Sequence, residues 1–384
     1  MSLTKASYAM INGAVINVLD YGAKGDGVTD DTSSIQAAFN ASTNGQYVYF
    51  PVGTYLTSST LTFDCSFGGS TSGIANNANL SPVKGTVIKY TGTGTCFQTN
   101  SPIYGINVEN FWIELQNTAL IGIDIRFGGN LNKFTNIAIF ANSVSTPCDY
   151  GVYLRGVNPD TNAPNYHQHY NKFDSITVVG NMLTGFKLGD DDLKGSPGYG
   201  DCAANANQIN NFTAFLAPLS GTPQDIYLYG TGCSIVQPNL TNPTSCIRFF
   251  GASEFNSIIA GYMDYTVTTA VYIDADAGVR FIVALLGCNL SASKIVDSVE
   301  PSNAGARYTM WGCSYASQVG TMTVNEIVPI TPGTNVVITD GVLVPWTTVG
   351  GQNPANVPIN SIYKSNSDGK LYWKDSSGVS HALY

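Results

Sequence analysis

The sequence predicts an all-β solenoid, a parallel β-helix of stacked coils, and three observations predict it. Only 11% of residues are charged, against roughly 25% in ordinary globular domains, while Gly reaches 40 of 384 residues. Long exposed helices need Lys, Glu and Arg on their outer face, so this mix favours strands and turns. Helical periodicity is clear in one place only, and strand-like segments recur along most of the remaining chain.

The one helix lies in DDTSSIQAAFNAS, where an acidic pair and Thr32 can cap the first turn and Ile35, Ala38 and Phe39 follow at helical spacing. Short strands come next, in QYVYFPVGTYLTSSTLTF. The repeats then begin: NKFTNIAIF from Asn132, NKFDSITVV from Asn171 and NNFTAFLAP from Asn210 start 39 residues apart. SIVQPNL from Ser234, SIIAGYM from Ser257 and RFIVALLG from Arg280 follow at 23 residues, the length of one lean solenoid turn, so the longer periods read as turns carrying loop insertions.

A second strand family interleaves with the first: GIDIRF, GVYLRG, GFKLGD, DIYLYG, CIRFFG and AVYIDA. Alternation sends Ile123/Ile125, Val152/Leu154, Phe186/Leu188, Ile226/Leu228, Ile247/Phe249 and Val271/Ile273 inward. It sends outward a ladder of Asp124, Arg126, Tyr153, Arg155, Lys187, Tyr227, Tyr229, Arg248, Phe250, Tyr272 and Asp274. With rungs about 4.8 Å apart, such a column suits an extended saccharide, an acidic one included, although outward tyrosines also simply suit β-structure.

After a Pro, Gly and Asn rich linker at 345–360, the last 24 residues read as three short strands joined by SDG and DSSG turns. So few residues cannot bury a core alone, which predicts stabilisation by other copies, as in a homotrimer. The net charge of −9 and pI near 4.7 argue against nucleic acid and membrane surfaces as partners. No bilayer-length apolar run and no signal-peptide pattern occurs. Eight widely spaced cysteines without a CxxC pair, and three histidines, predict buried free thiols rather than a disulfide framework, no structural metal and no cofactor.

Residues 17–63, INVLDYGAKGDGVTDDTSSIQAAFNAS and VYFPVGTYLTSSTLTF, closely resemble the entry to the pectate-lyase-like (pectate lyase superfamily 3) right-handed β-helix proteins, a group rich in bacteriophage tailspikes. The looser repeats carry the resemblance to about Cys313, and MSLTKASYAMINGA and LYWKDSSGVSHALY look like the ends of phage tail proteins. The resemblance implies a single-stranded, right-handed helix in a homotrimeric spike that binds, and often cleaves, a bacterial surface polysaccharide such as capsule or O-antigen. It also implies a place on the virion tail, acting at the host cell surface after synthesis in the bacterial cytoplasm. The expected organisation is a docking segment for a tail or baseplate protein at 1–16, the β-helix entry at 17–63, the helix proper at 64–315, a C-terminal β segment and linker at 316–350 and the trimer-stabilised tip at 351–384. Of the polygalacturonase motifs only Gly189-Asp190-Asp191 is present, which makes pectinase activity unexpected.

Glycoside hydrolysis needs two carboxyl groups. Asp174 stands where the sister repeats carry Thr135 and Thr213, Glu254 aligns with Lys133 and Lys172, Asp264 follows an apolar strand, and Asp191 sits in the longest insertion. These four are the catalytic candidates, each competing with a plain role as a solvated turn or strand acid. The substrate-binding candidates are Arg126, Tyr153, Arg155, Lys187, Tyr227, Tyr229, Arg248 and Tyr272. Elimination would instead use Arg155, Lys187, Arg248 and the loop histidines His167 and His169 beside a uronate carboxylate. The expectation is a depolymerase, hydrolysis favoured over β-elimination, with a purely adhesive spike, a non-phage secreted enzyme and a structural tail component as alternatives.

Overall fold

A computed structural model describes residues 15–315, apart from 44, 72–84, 117–118, 143–145, 156–167, 191–203, 219, 242–244, 252, 264–268, 275–281, 292–293, 299–307 and 312. It also describes 361–364, 370–374 and 377–382. Residues 1–320 and 321–384 form two separate compact units.

The entry folds as its sequence dictates, with one change in capping. The helix runs Thr32–Ala41 and buries Ile35, Ala38 and Phe39. Asp31 holds the N-cap position without capping, because its carboxylate accepts from the backbone N–H groups of Lys24 (2.6 Å) and Gly25 (3.0 Å) and so ties down the preceding glycine turn. Asp30 takes over, accepting from the Thr32 N–H at 3.0 Å. Phe39 then packs its ring among Phe50, Phe63, Phe67 and Phe97, with centroids 5.1 to 6.4 Å away, and stoppers the end of the first coil.

The remainder of the first unit is a right-handed parallel β-helix. One sheet stacks Leu61–Phe63, Thr95–Thr99, Ile121–Ile125, Cys148–Leu154, Met182–Leu188, Gln224–Leu228, Ser245–Phe249, Thr269–Ile273 and Lys294–Asp297, every pair parallel. Its inward columns are those the alternation assigns: Ile123, Val152, Phe186, Ile226, Ile247 and Val271 in one, and Ile125, Leu154, Leu188, Leu228, Phe249 and Ile273 in the other. All twelve are buried in one continuous apolar core. A second, longer parallel sheet includes Asn107–Gln116, Lys133–Asn142 and Lys172–Gly180, and a short third sheet links Ile103–Tyr104, Gly129–Asn130 and Gln168–His169.

In the long sheet Asn110, Asn136, Ser175, Asn211, Gln237 and Ala260 all hold φ between 50° and 64°, at one register position. This column of left-handed residues bends every rung at the same place, and the later coils break there into shorter strands such as Gln208–Asn210 and Thr213–Leu216. Inside the adjoining turn runs an asparagine ladder. Asn132 Nδ2 donates to Asn171 Oδ1 at 2.9 Å, the Asn171 N–H to Asn207 Oδ1 at 2.9 Å, and the Cys233 N–H to Asn256 Oδ1 at 2.9 Å. These contacts span 39, 36 and 23 residues, which corrects the repeat alignment.

Thus Lys172 pairs with Gln208 and Asp174 with Asn210, so Thr213 stands beside Thr177 and not in the column of Asp174. The alignment slipped because Asn207 rather than Asn210 is the ladder residue. Glu254 likewise leaves the column of Lys133 and Lys172, where Ser257 stands; it forms an isolated bridge with Thr231 in the turn before. Past Ser257 the coil lengthens again, since Ser257 pairs with Ala284. Cys65, Cys96, Cys148, Cys233, Cys246 and Cys288 are buried thiols and Cys313 is a half-buried one; Cys202 lies outside the described residues. In the second unit Ser361–Lys364, Leu371–Lys374 and Ser380–Ala382 form an antiparallel sheet.

Candidate functional site

The outward column forms in register: Asp124, Tyr153, Lys187, Tyr227, Arg248 and Tyr272 are successive partners. Arg126, Arg155, Tyr229, Phe250 and Asp274 follow the same strands at their ends. The side chains interlock between rungs. Arg155 Nε donates to both Asp124 oxygens (2.8 and 3.1 Å), and its guanidinium lies 4.3 Å from the Tyr153 ring. Lys187 Nζ lies 4.8 Å from the Tyr153 ring, 5.3 Å from Tyr150 and 5.7 Å from Tyr227. The Tyr153 hydroxyl donates to Asp190.

Higher up, Arg248 grips Asp274 through Nε (2.6 Å) and Nη2 (2.8 Å) and lies 5.1 Å from Tyr272 and 5.5 Å from Tyr227. Tyr227 stacks on Phe250 at 3.9 Å, and Phe250 touches Tyr229 at 5.5 Å. Arg126 sits at the edge, its guanidinium 5.9 Å from Phe127. The column is therefore a rigid aromatic and cationic stack. It differs from an open ladder in one respect: Asp124, Tyr153 and Lys187 are only 2–3% exposed, so they support the face rather than form its surface. Burial raises the pKa of Asp124 even though Arg155 pulls the other way. Arg155 is pushed down by burial, but the bonds and charge of Asp124 outweigh this and hold it above its ordinary value.

A cavity of about 230 Å3 opens on this face, lined by Asp149, Tyr150, Leu183, Thr184, Thr222, Gln224, Tyr227 and Arg248. Asp149 is half-buried, and desolvation lifts its carboxyl above the ordinary aspartate range. Arg248 brings a cation whose Nη1 takes no part in the Asp274 pair. Tyr150, Tyr227, the two threonines and Gln224 supply hydroxyl and amide groups, a set suited to sugar hydroxyls.

Tyr227 and Arg248 were legible in the sequence, whereas Asp149, Tyr150 and Gln224 were not. Tyr150, Thr184 and Gln224 are direct partners with the parity of inward residues. Next to them runs a column of Gly122, Gly151 and Gly185, where an added Cβ would lie 2.6 to 2.7 Å from a carbonyl of the next rung. The strands pass too closely there for regular pleating, so alternation fails on the near side of the glycines. Those repeated glycines were the available signal.

Of the four proposed catalytic carboxylates, Asp174 and Glu254 are among the described residues and stand on different parts of the coil. Asp174 lies on the long sheet, 3.7 Å from Lys172 Nζ and bonded to Ser175 and Asn211, and Glu254 lies in a turn. Asp191, Asp264 and His167 are outside the described residues; His169 pairs with Asn130 in the short sheet. No cluster of three or more metal-binding side chains occurs among the described residues.

The fold defines a right-handed β-helix protein, and its opening coils are similar to pectate-lyase-like proteins. Residues 15–126 match the family described as Rhamnogalacturonase A/epimerase, pectate lyase-like. The alginate lyase from Paenibacillus sp. str. FPU-7 shares the fold, with TM-score 0.50 and 12% identity over 74% of this chain and 93% of that one. ORF18 of Geobacillus virus E2 aligns with TM-score 0.49 and 18% identity over 96% of this chain and 86% of that one. The non-secreted LysM effector LysM15 of Penicillium expansum is 34% identical over 159 residues, 36% of this chain. The chain spans only 5% and 11% of the lengths of the curated relatives it matches.

Proposed function

We propose that the chain is a polysaccharide-directed spike that cleaves an acidic surface glycan at the Asp149 cavity. The carrying observation is that a carboxyl of raised pKa, Asp149, and the arginine Arg248 line one cavity together with Tyr150 and Tyr227. The acids elsewhere on this face are engaged: Asp124 with Arg155, Asp190 with Tyr153, Asp274 with Arg248. Two working carboxylates, which hydrolysis needs, are thus not assembled among the described residues. Elimination needs a base and a cation that neutralises the uronate carboxylate, and the cavity supplies both. Arg248 would hold the carboxylate and Asp149 would take the proton beside it. Tyr150 or Tyr227 would give a proton to the departing glycosidic oxygen, leaving an unsaturated sugar on one fragment. The cavity's lining supports elimination, in place of the hydrolysis expected from the sequence.

The ends of the chain, which resemble those of phage tail proteins, support placing the spike on a virion tail. There the three-stranded tip would trimerise, residues 1–16 would face a tail or baseplate partner, and the cavity would meet capsule or O-antigen. The family match and the alginate lyase fold are consistent with a glycan substrate.

The test is incubation with capsule and lipopolysaccharide extracts from a bacterial panel, reading fragments by mass spectrometry and the double bond by ultraviolet absorbance. Absorbing, unsaturated fragments are expected. Saturated fragments would return the reaction to hydrolysis, and tight binding without fragments would leave an adhesive spike, a reading that the 3.9 Å Tyr227–Phe250 stack also supports.

A further inference from the structure

A second cavity, of about 210 Å3, lies on the long sheet, and Leu131, Lys133, Tyr170, Lys172, Ala206 and Gln208 line it. Lys133 and Lys172 are direct parallel partners, so their side chains leave neighbouring rungs about 4.8 Å apart. Like charges set opposite each other repel. Asp174 relieves this only in part: its carboxylate is 3.7 Å from Lys172 Nζ and is shared with Ser175 Oγ and Asn211 Nδ2 at 3.1 Å. No ion pair to Lys133 occurs among the described residues.

The apolar wall is as telling. Leu131 and Tyr170 are 65% and 63% exposed, with φ of 61° and 55°, a backbone conformation that bulky side chains rarely adopt. Gly105 (φ 66°) holds the same turn one coil earlier and Gly232 (φ 68°) a later coil, so the turn itself has no need of large side chains. The chain nonetheless puts an isobutyl group and a phenol into solvent beside two lysines. Ala206 (φ 52°) and Phe255 (φ 54°) hold the same turn in later coils, so the left-handed backbone belongs to the coil. It is the exposed leucine and tyrosine beside two lysines that point to a ligand.

We propose that this cavity is a subsite for an anionic sugar residue. Lys133 and Lys172 take its carboxylate or sulfate, Tyr170 and Leu131 its apolar ring face, and Gln208 its hydroxyls. The subsite is on a different sheet from the Asp149 cavity and does not depend on cleavage there.

The test is titration of the full chain by calorimetry with trigalacturonate, with a sulfated trisaccharide and with a neutral trisaccharide, repeated on Arg248→Ala. Binding of an anionic probe that persists in Arg248→Ala is expected. It should weaken about tenfold or more in Lys133→Ala/Lys172→Ala, survive in Lys133→Arg/Lys172→Arg, and fall several-fold in Tyr170→Ala. The arginine pair keeps the test open should the alanine pair misfold, which circular dichroism would reveal. The proposal is overturned if neither anionic probe binds, if the neutral sugar binds equally well, or if the alanine pair binds as wild type. It is also overturned if the lysine variants alter only the sedimenting mass, which would assign the cavity to contact between copies. Loss of trigalacturonate binding in Arg248→Ala alone would place all recognition at the other cavity.

Discussion

Asp149 and Asp124 show how one residue type takes two roles on one face. Both carboxyls are raised by desolvation, but Asp124 is tied to Arg155 and nearly sealed, while Asp149 opens on the cavity. A raised carboxyl in the folded state favours the protonated form, so its contribution to stability is full below the unfolded carboxylate pKa and is lost as pH rises through the folded value. Asp149→Asn should therefore raise the thermal midpoint above the carboxylate range and leave it unchanged below. The same variant should lower the cleavage rate by about 100-fold or more while glycan binding persists. A variant that cuts at the wild-type rate removes Asp149 from the chemistry. Asp124→Asn has the opposite consequence, because it leaves the Arg155 guanidinium without its carboxylate: a loss of about 3–5 kcal/mol is expected by urea unfolding.

At the scale of the element, the turn beside the long sheet is held by asparagines whose amides accept from one rung and donate to another. Asn171 is buried, receives the Asn132 amide and donates through Nδ2 to the Gly129 carbonyl at 3.0 Å. Asn171→Ala orphans these groups and should cost about 1–3 kcal/mol per group left unpaired, read as a shift in the urea midpoint. A change no larger than that of an exposed asparagine, such as Asn142, would show the ladder to be ornamental. Cys233 occupies one step of this ladder; its thiol donates to the Ala204 carbonyl at 3.0 Å and its N–H to Asn256 Oδ1 at 2.9 Å.

For the whole molecule, the first unit is a stack in which each coil buries its apolar residues against its neighbours, so stability is shared along the core rather than held in any one segment. Among the described residues of the last unit, the three short strands pair only with one another. If they are completed by other copies, sedimentation equilibrium should give three times the 40.7 kDa chain mass. Removal of residues 351–384 should return the protein to a single chain. A full-length protein that sediments as one chain at all concentrations would end that idea.

Alternation and repetition alone determined the coil and both inward columns, because a strand with one face in a core must alternate and stacked coils must repeat that pattern. The same two rules carried Tyr153, Lys187, Tyr227, Arg248 and Tyr272 into one column. Register on the long sheet was not legible, since Asn207 and Asn210 are equally good asparagines in sequence and only the interior ladder distinguishes them. Nor was the cavity: Asp149 and Tyr150 line it with Arg248, next to the glycines at 122, 151 and 185, where any side chain would collide with the neighbouring rung. Local pattern decides which way a side chain faces; close contact between rungs distant in sequence decides which side chains meet.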